Sequence, residues 1–169
     1  MILSAHKIKQ YVEQFNADDD ELYVQRIANA EAAAFLSGNI PLFECPDEGF
    51  AQCYYFRWWT YRKHIKETED GYVITEFLPS VGWASIPNAI SATARMVKPF
   101  PGSMRTSTPI PANTWDWFCL HNVNYHGRIL TILWDKTGRK YGKGKGLQVF
   151  ADDKGIGATA TLQRLEGKL

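Results

Sequence analysis

The sequence predicts an α+β protein with N-terminal helices, an irregular junction and a small C-terminal antiparallel β-sheet or half-sandwich. Three observations carry this. Apolar residues recur at helical spacing up to about residue 67. Pro79, Pro87, Pro99, Pro101, Pro109 and Pro111 crowd one segment with Gly and Ser between them. From Trp115 onward, apolar alternation and turn signals recur roughly every ten residues.

Each element has a local reason. Residues 4–15 read as a helix capped by Ser4, because Ile8, Tyr11, Val12 and Phe15 fall at i, i+3, i+4 and i+7. A second, Ala-rich helix is expected over 19–37. Asp19, Asp20 and Glu21 suit the positive end of its dipole, and Ser37-Gly38-Asn39 with Pro41 beyond suits its stop. Residues 41–46, bracketed by prolines, predict an extended loop. A third helix is expected from about Asp47 to Glu67. Phe50, Tyr54, Trp58, Tyr61 and Ile65 would share one face, with Tyr55, Trp59 and Phe56 on other sides. A helix apolar around most of its circumference belongs inside a larger assembly. Asp70-Gly71 turns the chain into a β-prone run, Tyr72 to Phe77. Within the proline-rich stretch, only 88–97 has the composition for two or three helical turns. Strands are expected near 117–122, 129–134 and 147–150, with turns at His126-Gly127, at Asp135 to Gly138 and at Asp152 to Gly155. Thr159 to Leu165 closes the chain. The implied segments are 1–84, 85–112 and 113–169.

Composition excludes several classes. The 169 residues are 45% apolar and 22% charged, which excludes a disordered tail, a collagen-like repeat and a disulfide-dense miniprotein. No apolar run approaches the roughly 20 residues of a membrane helix. Residues 1–85 carry a formal charge of −6 and residues 86–169 one of +7. The cations of the second half are scattered Lys and Gly-Lys turns, so neither a nucleic-acid nor a membrane partner is expected. Cys45, Cys53 and Cys119 are odd in number, which argues for free thiols. Cys119, His121 and His126 lack a fourth metal ligand, and Gly138 to Gly144 lacks Walker spacing. No metal or organic cofactor is expected. The leading Met-Ile-Leu-Ser-Ala-His-Lys shows no signal peptide.

The most unusual feature is Tyr54-Tyr55-Phe56-Arg57-Trp58-Trp59-Thr60-Tyr61-Arg62-Lys63-His64. Aromatic faces stack on the C–H faces of sugar rings while Arg and Tyr bond sugar hydroxyls, so the block suits a carbohydrate cleft; it equally suits a helix-pair core. The block follows Phe43-Glu44-Cys45-Pro46-Asp47 and precedes Asp70-Gly71-Tyr72-Val73-Ile74-Thr75-Glu76-Phe77-Leu78-Pro79 and Gly82-Trp83-Ala84. Together these resemble the opening of bacterial six-hairpin glycoside hydrolases. Those are (α/α)6-barrel enzymes akin to the trehalase and mannosylglycerate-hydrolase groups of gut Bacteroidetes. The resemblance covers most of residues 4–90 and departs from the family pattern at Ser85-Ile86-Pro87. Residues 113–118, 125–128, 135–138 and 142–147 resemble the β-sandwich that follows the barrel.

The resemblance implies water attack on an O-glycosidic bond by two carboxylates, with carbohydrate as partner and a periplasmic or cell-surface setting. It makes Tyr55, Phe56, Arg57, Trp58, Trp59 and Trp83 the expected sugar contacts. The family's acid and base come from later barrel segments, which do not fit between residues 90 and 113 at about 20–30 residues per helix and loop. Glu76 and Asp116 are the remaining candidates for a catalytic pair. The expectation is a shortened or remnant hydrolase with an incomplete catalytic apparatus. Two alternatives stand beside it. One is a non-catalytic carbohydrate-binding β module using Trp115, Trp117 and Trp134. The other is a structural fragment that self-associates through its exposed aromatic helix.

Overall fold

The computed structural model describes residues 2–69, 71–75, 77–79 and 114–166. The fold is α+β; the described residues form three helices, a five-stranded antiparallel sheet and a two-stranded one. It forms two compact units. The predicted helix at 88–97 and most of the proline-rich segment lie outside the described residues.

The helical unit contains α1 (His6–Ala17), α2 (Asn29–Asn39), the C-terminal half of α3 (Glu48–Lys63), and a hairpin of β2 (Ile65–Thr68) and β3 (Gly71–Ile74). α1 buries Ile8, Tyr11, Val12 and Phe15, the stripe read from the sequence. Tyr11 stacks on Tyr55 at 5.2 Å between centroids, and Phe15 meets Trp59 at 5.8 Å. Ala32 and Leu36 of α2 complete this core.

Two boundaries and one buried face differ from the sequence reading. α2 starts at Asn29, ten residues later than expected. Residues 18–28 are not helical, and Glu21 has φ +49°. The acids there serve as ties rather than helix-dipole partners. Asp19 accepts from Asn29 Nδ2 and Lys63 Nζ, and Glu21 accepts from Asn29 N. The helix is capped instead by Glu31, which reaches back to Ala28 N at 3.2 Å. α3 ends at Lys63, four residues early, because Ile65–Thr68 pairs with Gly71–Ile74. Finally, α3 buries Ala51, Tyr55, Trp59, Arg62 and Lys63, not the predicted Phe50–Tyr54–Trp58–Tyr61–Ile65 face. Of the aromatic rings in the block, this buried stripe absorbs only Tyr55 and Trp59.

The β unit has strand order β1-β4-β5-β6-β7. β4 (Trp117–Tyr125), β5 (Arg128–Asp135), β6 (Gly146–Ala151) and β7 (Lys154–Thr159) form a meander. β1 (Leu42–Glu44) joins the edge of β4, with Phe43 opposite Leu120 and Glu44 opposite Cys119. The expected loop at 41–46 is thus extended but paired, and its flanking prolines are tolerated because an edge strand bonds on one side only. The start of α3 covers one sheet face: Phe43, Cys45 and Ala51 pack with Tyr54, Trp115, Phe118 and Leu120. A bulge between Leu120 and Val123 accommodates Asn122 at φ +63°. His126-Gly127 and Asp152-Asp153 are two-residue turns with both φ positive, the twist that suits a hairpin. The second turn leads straight into a further strand, Lys154–Thr159, that was not among the strands expected from the sequence.

Gly146, at φ +106°, lies against the backbone of Thr159 and Ala160, where a Cβ has no room. Gly146→Ala is expected to destabilise the β unit by about 2–4 kcal/mol, from positive-φ strain plus displacement of β7. Urea unfolding followed by tryptophan fluorescence checks this; an unchanged midpoint contradicts it.

Candidate functional site

The aromatic block divides by burial. Tyr55 (3% exposed) and Trp59 (4%) belong to the helical core. Trp59 Nε1 donates to Asn16 Oδ1 at 2.9 Å, and Lys63 Nζ sits 4.0 Å from the Trp59 ring centre. Phe56 is 45% exposed, its ring stacked on Trp59 and edge-on to Phe15. Arg57 is exposed and Trp58 half-buried. Trp58 meets Tyr61 edge-on at 5.7 Å. Arg57 and Tyr61 are four residues apart and Trp58 and Tyr61 three, so all three side chains share one patch of α3. Burial pushes the Tyr61 phenol up from its ordinary pKa. This patch presents a guanidinium, an indole and a phenol together, the groups that bond and stack on a sugar. Tyr61 was not among the sugar contacts expected from the sequence, although its i+3 spacing from Trp58 was visible there. Trp83 and Glu76 lie outside the described residues.

Asp116, Glu44, Asp152, Asp19 and Asp135 each have a partner within the protein. Asp116 is exposed, just ahead of β4, and pairs with Lys136 at 2.8 Å. Glu44 pairs with Lys140 at 2.7 Å. Asp152 accepts from Ile129 N at 3.0 Å and from Arg128 at 3.2 Å. Burial pushes Asp19 up, but Lys63 and Asn29 outweigh it and hold the carboxyl below its usual range. Asp135 behaves alike: burial raises it, and the N–H groups of Tyr141, Gly138 and Thr137 hold it low. A general acid needs the opposite displacement.

The three tryptophans of the β unit are also separated. Trp134 is buried and donates to Trp115 O at 3.1 Å; Trp115 packs on Phe43 and Phe50. Trp117 alone stays beside polar groups. Lys140 Nζ lies 4.1 Å from its ring centre while also holding Glu44, and Tyr141 meets it edge-on. No sequence pattern signals this cluster, because it depends on β1 pairing with a strand more than seventy residues away. Burial, with the Glu44 charge, pushes the Cys119 thiol up to about 12, so it is an inert core thiol. His121 is pulled below its ordinary pKa by burial and its Nδ1 hydrogen-bonds Thr131 Oγ1 at 2.7 Å. Among the described residues, no three His, Cys, Asp or Glu side chains converge as a metal site.

Residues 108–156 match the profile of "Glycosyl hydrolase family 65, C-terminal domain". The fold is similar to a solved structure titled "Sialidase", with a TM-score of 0.80 and 16% identity over 95% of this chain. The chain spans 44% of that structure's length. At such identity the likeness describes the fold alone. The β unit therefore contains a segment similar to the C-terminal domain of a glycoside hydrolase family.

Proposed function

We propose that this chain is a shortened glycoside-hydrolase-like protein that binds carbohydrate without a complete pair of catalytic carboxylates. The observation that carries this reading is the glycosyl-hydrolase match over residues 108–156. The resemblance of residues 4–90 to a six-hairpin barrel opening supports it from the other end. On this reading residues 1–84 derive from the barrel, 85–112 from the junction and 113–169 from the following sandwich. Glycoside hydrolysis needs two carboxyls about 5–9.5 Å apart across the sugar, one of them protonated. Asp116, Glu44, Asp152, Asp19 and Asp135 are instead engaged with cations or backbone N–H groups. Arg57, Trp58, Tyr61 and Phe56 are the accessible aromatic and cationic groups of the block, and they are the proposed sugar contacts.

A second reading places the sugar on the β unit at Trp117, the one β-unit tryptophan held among polar side chains. Titration of tryptophan fluorescence with oligosaccharides and aryl glycosides separates the two. The first reading expects saturable binding that weakens about tenfold or more in Trp58→Ala or Arg57→Ala. Weakening in Trp117→Ala alone moves the site to the β unit. Turnover by the wild-type chain that is lost in Glu76→Gln or Asp116→Asn overturns the non-catalytic reading.

A further inference from the structure

The loop between β5 and β6, residues 136–145, carries Lys136, Arg139, Lys140, Lys143 and Lys145 and no acid. Its sequence reads as a solvated Gly-Lys turn, but its backbone is fixed. Asp135, 1% exposed, accepts hydrogen bonds from the N–H groups of Thr137, Gly138, Lys140 and Tyr141 and from the Thr137 hydroxyl. Gly138, at φ +76°, crosses so close to the far side of the loop that a Cβ would lie 2.9 Å from Lys145 N. Tyr141 anchors the middle against Trp117, with its hydroxyl buried.

On this frame the cations divide. Lys136 is neutralised by Asp116 and Lys140 by Glu44. Arg139, Lys143 and Lys145 are exposed and have no ion-pair partner among the described residues. Three like charges held within seven residues repel one another in the free protein. An anion relieves that repulsion, and a fixed frame loses little entropy on binding one. We propose that this loop binds an acidic polysaccharide through its carboxylate or sulfate groups, with Arg139, Lys143 and Lys145 as contacts. The glycan identity rests on the carbohydrate reading above. Single-stranded nucleic acid favours a row of aromatic platforms, whereas this loop borders on Trp117 and Tyr141, already packed against each other.

The test is equilibrium binding of the full chain to polygalacturonate, chondroitin sulfate, a neutral glucan and DNA, at low and raised salt. The proposal expects at least one acidic polysaccharide to bind, with affinity falling as salt rises. It expects a loss of about tenfold or more in the triple variant R139Q/K143Q/K145Q, and retention in R139K/K143R/K145R. The altered side chains are exposed, so the triple variant should melt with the wild type; an earlier melt is answered by the charge-retaining variant. Equal binding by the triple variant, DNA binding as tight as the polysaccharide, or no acidic-polysaccharide binding overturns the proposal. In that last case, a neutral glycan that still binds leaves the carbohydrate reading standing; if no glycan binds, both fall.

Discussion

Replacing Asp135 with asparagine is expected to destabilise the β unit by about 3 kcal/mol, and with alanine by about 3–5 kcal/mol. Both carboxylate oxygens are occupied: Oδ1 by Thr137 and Gly138, Oδ2 by Lys140 and Tyr141. Asparagine turns one oxygen into an amide NH2 that faces further N–H groups, and alanine leaves four N–H groups without their acceptor. The measurement is a urea midpoint, read with an unchanged m-value. The same carboxyl predicts acid sensitivity. Its folded pKa lies below the unfolded value, so its stabilisation is complete above about pH 4, the unfolded range, and is lost as pH falls through the folded value. In Asp135→Asn the fall in stability below about pH 4 should be shallower than in wild type. A variant with wild-type midpoint and wild-type acid slope contradicts the assignment.

The second large effect belongs to Arg62. This guanidinium is 0% exposed. Nη1 donates to Gln25 Oε1 at 2.8 Å and Ile27 O at 2.6 Å, and Nη2 donates to Asn29 Oδ1. Arg62→Met is expected to cost about 3–5 kcal/mol, because it strips three acceptors of their donor. Lysine cannot reproduce the fork and should rescue only part. The arginine ties down residues 25–29, directly after Leu22 and Val24, which project into solvent. Limited proteolysis should therefore cut near Leu22 to Val24 faster in Arg62→Met than in wild type. Unchanged cleavage and unchanged melting contradict this role.

These two residues mark where the sequence was legible and where it was not. α1 was legible because Ile8, Tyr11, Val12 and Phe15 meet a single helical period. The strands β4 to β6 were legible because their turns, His126-Gly127 and Asp152-Asp153, carry local chemistry. The start of α2 was not, because Asp19 and Glu21 look like dipole partners until Arg62 and Lys63 arrive from α3 and claim the segment. β1 was hidden for the same reason: Leu42 to Glu44 becomes a strand only by pairing with residues 119–121. The candidate site was legible in part. Residue type located the aromatic block, but its buried stripe was set by α1, which takes Tyr55 and Trp59 and leaves Phe56, Arg57 and Trp58 accessible. Asp135 read as an ordinary turn residue, since its acceptor role depends on a loop that folds back over six residues.

The central claim is carbohydrate binding without cleavage. It is tested most directly by calorimetric titration of the chain with an oligosaccharide panel, followed by recovery of the sugar and chromatographic sizing. The account predicts a saturable heat for at least one oligosaccharide, weakened in Trp58→Ala, with that sugar recovered at its starting length. Recovery of shortened sugar from the wild type, and of intact sugar from Glu76→Gln or Asp116→Asn, would contradict it.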